Sequence, residues 1–235
     1  MIDFHTHILP GIDDGSRSSD MSIEMLKLEH MMGVDTVICT PHFYAHRDKI
    51  HEFLERRDRA LEKVKTILTD PMYSDLPEVR VGAEVYYFIG IGRAEHIGEL
   101  CIEDTDILLL ELPFRPWDKE IIEDIRELRY RQHLSVVLAH VERYKELQKD
   151  KHLYDEMLDQ ADLIQINAGS FTEGLFKRNF CLKLLKSGRT AIIGSDCHNT
   201  TSRKPNLNLG YDIICKKYGS DKVIELKNNL EGLFR

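Results

Sequence analysis

Short apolar runs rich in β-branched residues alternate along the chain with longer stretches of helical period. The runs at 2–7, 36–40, 79–84, 107–112, 135–140, 163–167 and 190–195 read as strands. The segments at 19–32, 47–68, 119–133, 151–160 and 175–187 read as helices, with further helix from 206 to 230. Ser18 or Ser19 suits an N-cap, and Gly33 and Gly188 fall where C-terminal caps belong. Ile107-Leu108-Leu109-Leu110 and Val136-Val137-Leu138-Ala139 are apolar at every position, as in strands covered on both faces. Seven strands separated by helices predict an α/β fold with a parallel sheet and crossover connections.

The polar positions choose between two versions of that fold. Each strand is followed or ended by a residue capable of chemistry: His5 and His7, His42, Glu84, Glu111, His140, Asn167 and Asp196. An open sheet would spread these along a crevice, whereas a β/α barrel gathers strand C-termini at one mouth. The barrel is the expected architecture, formed by a single domain over residues 1–235.

His5-Thr6-His7 lies on a strand, where a period of two points both imidazoles to one side. Alone, H-x-H describes two satisfied histidines; beside Ile2, Phe4 and Ile8 it describes two interior ones that need partners. Asp196 and His198 repeat the spacing after Ala191-Ile192-Ile193, with a helix N-cap as the bland alternative. Asp14 sits in Gly11-Ile12-Asp13-Asp14-Gly15, which alone is a plain turn. Together, five His, two Asp and two Glu make nine potential ligands: His5, His7, Asp14, His42, Glu84, Glu111, His140, Asp196 and His198. Four ionised carboxylates so close would repel, and most would be forced to protonate unless cations compensated them. Two or three divalent metals supply that compensation, with Glu84 as the bridging carboxylate. Such sites activate water and hold the oxygens of a phosphate. Arg143 and Arg203, on strand-following loops, are the candidate phosphate-gripping cations, although most arginines serve only solubility.

Composition narrows the partners. The net charge of −8 argues against a nucleic-acid backbone or an anionic membrane surface. No apolar run is long enough for membrane insertion, and no leader pattern precedes the first strand. Cys39, Cys101, Cys181, Cys197 and Cys215 show no paired spacing and fit reduced thiols, so the expectation is a cytoplasmic protein.

These motifs resemble those of the PHP (polymerase and histidinol phosphatase) superfamily, and within it the bacterial protein-tyrosine phosphatases associated with capsule and exopolysaccharide synthesis. The resemblance rests on His5-x-His7, Leu9-Pro10-Gly11-x-Asp13-Asp14-Gly15, Thr40-Pro41-His42, Glu84, Glu111, His140-x-Glu142-Arg143-Tyr144 and Ser195-Asp196-x-His198-Asn199. It spans residues 5 to 203 in the family's order. It implies a distorted seven-stranded (β/α) TIM-like barrel of PHP type, a trinuclear centre, often of manganese with iron or zinc as alternatives, and phosphotyrosine substrates on a partner tyrosine kinase. By motif, His5, His7, Glu84 and Asp196 would hold one ion, Glu84, Glu111 and His140 a second, and Asp14, His42 and His198 a third. Arg143 and Arg203 match the family's phosphate-binding arginines, and hydrolysis would proceed by metal-activated hydroxide, with Asp14 or a bound water as proton donor. The loop Phe43-Tyr44-Ala45-His46 and the segment Arg115-Pro116-Trp117 depart from the expected pattern and bear on substrate preference.

Three rival readings stand beside this one. Cys197-x5-Arg203 has the spacing of cysteine-dependent phosphatases, but its loop holds no glycine and Lys204-Pro205 follows where a helix should begin. A second rival keeps the metals and hydrolyses a small ester such as histidinol phosphate. A third is a non-catalytic protein that binds phosphotyrosine through a metal-ordered fold.

Overall fold

The computed structural model describes residues 1–234. Its strands are β1 (Ile2–Thr6), β2 (Thr36–Cys39), β3 (His42–Phe43), β4 (Glu78–Val81), β5 (Glu84–Tyr86), β6 (Ile107–Glu111), β7 (Ser135–Leu138), β8 (Leu163–Asn167) and β9 (Ala191–Gly194). The helices are α1 (Ser19–Met31), α2 (Ile50–Leu68), α3 (Lys119–Tyr130), α4 (Lys151–Gln160), α5 (Leu175–Leu184), α6 (Leu207–Tyr218) and α7 (Ser220–Glu231). All strand pairs are parallel, in one sheet of order β1-β2-β4 and a second of order β3-β5-β6-β7-β8-β9.

The two sheets meet where the expected strands 36–40 and 79–84 break. Pro41 has no N–H to donate, so the ladder stops after Cys39 and resumes at His42, which pairs with Glu84. Gly82 marks the matching break on the neighbouring strand, where a Cβ would stand 2.9 Å from the Ile102 side chain. At the other margin, Thr6 forms a parallel bridge with Cys197, and the His7 N–H donates to the Cys197 carbonyl at 2.9 Å.

Alternation along the strands divides the apolar residues into two clusters. Ile107 and Leu109 of β6, Val137 of β7, Leu163 of β8 and Ile192 of β9 join Phe4 and Ile38 in one cluster. Their neighbours Leu108, Leu110, Val136, Leu138, Ile164 and Ile193 pack into the other, with the helices. On the first face the next polar residues along the strands are Glu111 in β6 and Gln165 and Asn167 in β8. The same face is therefore apolar at its base and polar at its C-terminal end. A register shift lies between Asp3 and Thr6, so Phe4 reaches the first cluster while the next residue, His5, reaches the polar end.

Other boundaries moved for local reasons. Ser18 is the N-cap of α1 and accepts from the Met21 amide. The tail expected as one helix is two, separated at Gly219, whose φ of 85° no interior helical residue adopts. The helix expected from 47 starts at Ile50, after a turn closed by Arg47 and Asp48 amides on the Tyr44 carbonyl. Among the described residues, no helix is long and apolar enough to cross a membrane.

Candidate metal centre

All nine expected ligands lie together at the C-terminal ends of the strands. Eight of them have buried or nearly buried side chains; Asp14 is the exception, with a side chain 65% exposed. Glu84 is the hub. Its Oε2 lies 3.2 Å from His5 Nε2, 3.3 Å from His7 Nε2 and 3.0 Å from His42 Nδ1, and its Oε1 lies 2.8 Å from His140 Nε2. Glu111 Oε1 is 3.4 Å from His140 Nε2, and Asp196 Oδ1 is 3.5 Å from His7 Nε2. Asp14 Oδ1 is 3.4 Å from His198 Nε2 and 3.6 Å from His42 Nε2. Three groups of donor atoms lie within 4.8 Å of one another: His7, Asp14, His42 and His198; His5, His7 and Asp196; and His42, Glu84 and Glu111.

The backbone works to aim two of these side chains. Ala139 faces the inner cluster, so regular alternation would turn His140 outward; instead His140 has φ of 31° and swings back toward Glu84. Asp196 likewise has φ of 55°. Positive φ on a histidine and an aspartate is uncommon, and here it falls on two strand-following residues that both point a donor into the mouth. No helix follows Asp196 until Leu207, which removes the N-cap alternative for the Ser195-Asp196 pair.

The donors fit divalent cations. Glu84 Oε2, His42 Nδ1 and His198 Nε2 are buried without a hydrogen-bond partner among the described residues, and all three point into the cluster. Glu84 Oε2 and His42 Nδ1 are close enough to bond but wrongly aligned, as two lone-pair donors facing one ion would be. The outer nitrogens are tied down. His7 Nδ1 donates to Asp13 Oδ2 at 2.7 Å, His5 Nδ1 to Gln165 Oε1 at 3.2 Å, and His198 Nδ1 to the Asp196 carbonyl at 3.0 Å. Each bond leaves Nε2 with its lone pair toward the cluster, the arrangement that orients metal-binding imidazoles.

Sequence reasoning missed Asp13 and Gln165. Asp13 accepts from His7 Nδ1, from the His42 amide at 3.1 Å and from the Gly15 amide at 2.9 Å, so it positions two of the expected ligands and closes its own loop. The Asp-Asp pair in the loop was the only available signal. Gln165 accepts from His5 and from the His140 amide at 2.7 Å, and a lone glutamine in an apolar strand was that signal.

The charges respond to this crowding. Burial opposes protonation of His140, but Glu111 and Glu84 outweigh it and raise its pKa to about 9. Burial also opposes charge on His7, yet Asp13 and Glu84 hold its pKa well above the usual range. His198 holds the Asp14 carboxyl well below the usual carboxylate range. Without cations, protons on histidines do the compensating.

The two expected arginines stand at the rim. Arg203 Nη2 is 2.9 Å from Asp196 Oδ1, and Arg143 Nη1 is 3.5 Å from Asp196 Oδ2, both with partly exposed side chains. In the His140-to-Tyr144 motif only Arg143 faces outward. Glu142 is buried and accepts from Ser170 Oγ at 2.7 Å, and the Tyr144 hydroxyl accepts from the Leu112 amide at 3.0 Å.

The Cys197-x5-Arg203 loop has the spacing of a thiolate phosphatase without its geometry. Cys197 is 1% exposed and its Sγ points toward Glu29, 3.6 Å away. Burial, then the charges of Glu29 and Asp3, push the thiol well above its ordinary pKa. The loop amides are engaged: those of His198 and Asn199 donate to the Arg203 carbonyl, and those of Thr201 and Arg203 to Asn199 Oδ1. Most of the loop is thus closed on itself and on Asn199, away from the buried thiol.

A parallel α/β fold whose strand ends gather nine imidazole and carboxylate donors defines a candidate multi-metal centre. Comparison with known proteins places it further. The family described as "Capsular polysaccharide synthesis, CpsB/CapC" matches residues 1–232, and the chain belongs to that family. It is 30% identical to the tyrosine-protein phosphatase CpsB of Streptococcus pneumoniae over 96% of this chain and 94% of that protein. It is 29% identical to the tyrosine-protein phosphatase YwqE of Bacillus subtilis (strain 168), over 100% of this chain and 92% of the relative. A solved structure from work on YwqE and CpsB, described there as "unique metal-dependent tyrosine phosphatases", superposes with a TM-score of 0.85. That match has 26% identity and covers 99% of this chain and 94% of the other. The family bears out the resemblance read from the motifs.

Proposed function

We propose that the chain is a metal-dependent protein-tyrosine phosphatase of capsular polysaccharide synthesis, acting in the cytoplasm on a partner tyrosine kinase. The observation that carries this reading is the gathering of nine donors at one mouth, four of their imidazoles on Glu84, with Arg143 and Arg203 together on the rim at Asp196. The relatives' names supply the substrate class, and five free cysteines suit a reducing compartment. The sheets are read as one domain over residues 1–235, a distorted seven-stranded barrel in which β2 with β3 and β4 with β5 each count as one strand. The Thr6–Cys197 bridge supports its closure.

His5, His7, Glu84 and Asp196 would hold one ion, Glu84, Glu111 and His140 a second, and Asp14, His42 and His198 a third, with manganese the expected metal. Divalent ions there would acidify water and neutralise phosphoryl oxygens. The remaining tasks belong to side chains. Arg143 and Arg203 bind the non-bridging phosphate oxygens, each giving up part of its contact with Asp196. Phe114, 41% exposed, stacks against His140 at 5.8 Å and lies under the Arg143 guanidinium at 4.8 Å, offering the substrate ring an aromatic face beside the phosphate. Asp14 stays ionised beside His198, which suits holding an ion better than donating a proton. A phenolate of pKa ~10 is a leaving group that needs little acid assistance.

Turnover of a phosphotyrosine peptide against histidinol phosphate, with manganese supplied, tests the substrate class. The peptide is expected to be preferred by about tenfold or more, the effect of roughly 1.4 kcal/mol of aromatic contact in the transition state. Preference for the alkyl ester would overturn the tyrosine reading while leaving the metal centre intact.

A further inference from the structure

A cleft of about 750 Å³ opens from the Asp14 and His42 side of the cluster, bordered by Arg17, Tyr44, Arg47 and Arg56. Arg56 is engaged, its Nη2 2.8 Å from Asp48 Oδ1. Arg17 and Arg47 are exposed and form no ion pair with any described side chain. Arg47 lies with its guanidinium 5.4 Å over the Tyr44 ring, which holds the charge at the cleft wall. Of the acids bordering the same space, Asp13 is bonded to His7 and Asp48 to Arg56, and Asp14 faces the histidines. Two cations with no ion-pair partner among the described residues thus edge a cleft continuous with the candidate metal centre, in a chain of net charge −8.

We infer that this cleft binds the substrate polypeptide beside its phosphotyrosine and that Arg17 and Arg47 select an anionic residue there, a carboxylate or a second phosphate. The inference rests on the phosphatase reading of the neighbouring centre. A single free arginine on a surface is ordinary; what distinguishes this pair is its place on a concave wall shared with Asp14 and His42. Arg47 also belongs to the turn that opens with Tyr44, the loop whose sequence departs from the pattern of the resembling family. A recognition wall belongs on a surface loop beside the reacting centre, which is where this turn places Arg47. Arginine suits either anion because its fork binds carboxylate and phosphate alike.

The test uses the manganese-loaded full chain and four substrates: phenyl phosphate, and phosphotyrosine peptides flanked by glutamate, by phosphoserine or by lysine. The wild type is expected to favour the two anionic peptides over the lysine peptide by about 3–10-fold in kcat/KM, mostly through KM, as for partly solvated ion pairs. The preference should shrink with added salt. In the double variant Arg17→Ala/Arg47→Ala the preference is expected to vanish while turnover of phenyl phosphate stays unchanged. Preference for the phosphoserine peptide alone assigns the wall to a second phosphate, and preference for both assigns it to anions generally. A wild type that cleaves phenyl phosphate and all three peptides alike overturns the subsite alone, as does a double variant that keeps the preference. A wild type that cleaves none of the four overturns the phosphatase reading and the subsite with it.

Discussion

A histidine can offer a metal only the nitrogen that does not carry its proton, so the residue that takes the proton decides whether the ligand is ready. For His7 that residue is Asp13, whose Oδ2 accepts from Nδ1 at 2.7 Å and also fixes the His42 amide. Asparagine at this position keeps the shape, removes the charge and can present an amide N–H where a carboxylate oxygen stood. Asp13→Asn is therefore expected to weaken manganese binding by about 10–100-fold, the usual effect of losing the partner of a metal-binding imidazole. The measurement is a metal titration followed by calorimetry, with circular dichroism confirming the fold; unchanged affinity would show that His7 does not need Asp13. Cys197 occupies the opposite condition, a buried thiol held protonated against Glu29 with no open path to the mouth.

Elements carry these residues to one place, and one loop does so with almost no slack. Between β1 and α1 the chain turns at Gly15, where a Cβ would lie 2.2 Å from the His7 carbonyl oxygen and 2.5 Å from its Cβ. The Ser16 amide donates to that same carbonyl at 3.0 Å, so the loop is pressed directly against His7, one of the nine candidate donors. Gly15→Ala is expected to cost about 1–3 kcal/mol of stability, as overpacking does, and to lower Tm by roughly 5 °C together with metal affinity. A thermal melt and a metal titration of the same variant check both, and a melt superimposable on the wild type would contradict the close fit. Much of this scale was legible in the sequence, because burial on both faces makes strands continuous apolar runs and a period of two places Glu111 in line with Ile107 and Leu109. Harder to read were features set by distant neighbours. That Pro41 and Gly82 interrupt two strands at the same level depends on their being side by side. That Asp13 and Gln165 serve His7 and His5 depends on contacts between separate loops and strands. Arg17 and Arg47 look like any exposed arginines until the cleft is seen.

Across the whole molecule the cluster links proton binding, metal binding and stability. Glu111 and Glu84 overcome burial to raise His140 from its ordinary 6.5 to about 9, so the metal-free fold binds this proton more tightly than the unfolded chain does. That stabilisation is fully present below pH 6.5 and is lost as pH rises through about 9. A metal needs the same nitrogen unprotonated, so its affinity moves the other way and climbs across the window. Melting curves with and without manganese should draw apart as pH rises from 6.5 toward 9, and a constant gap would contradict this linkage. The central claim is that ions held by the nine donors, and no thiolate, hydrolyse phosphotyrosine. Its most direct test is phosphate release from a phosphotyrosine peptide by the manganese-loaded wild type, a chelator-treated sample, His7→Ala and Cys197→Ser. The account predicts that Cys197→Ser retains the wild-type rate while chelation and His7→Ala abolish it; an inactive Cys197→Ser beside a chelated enzyme that still turns over would contradict it.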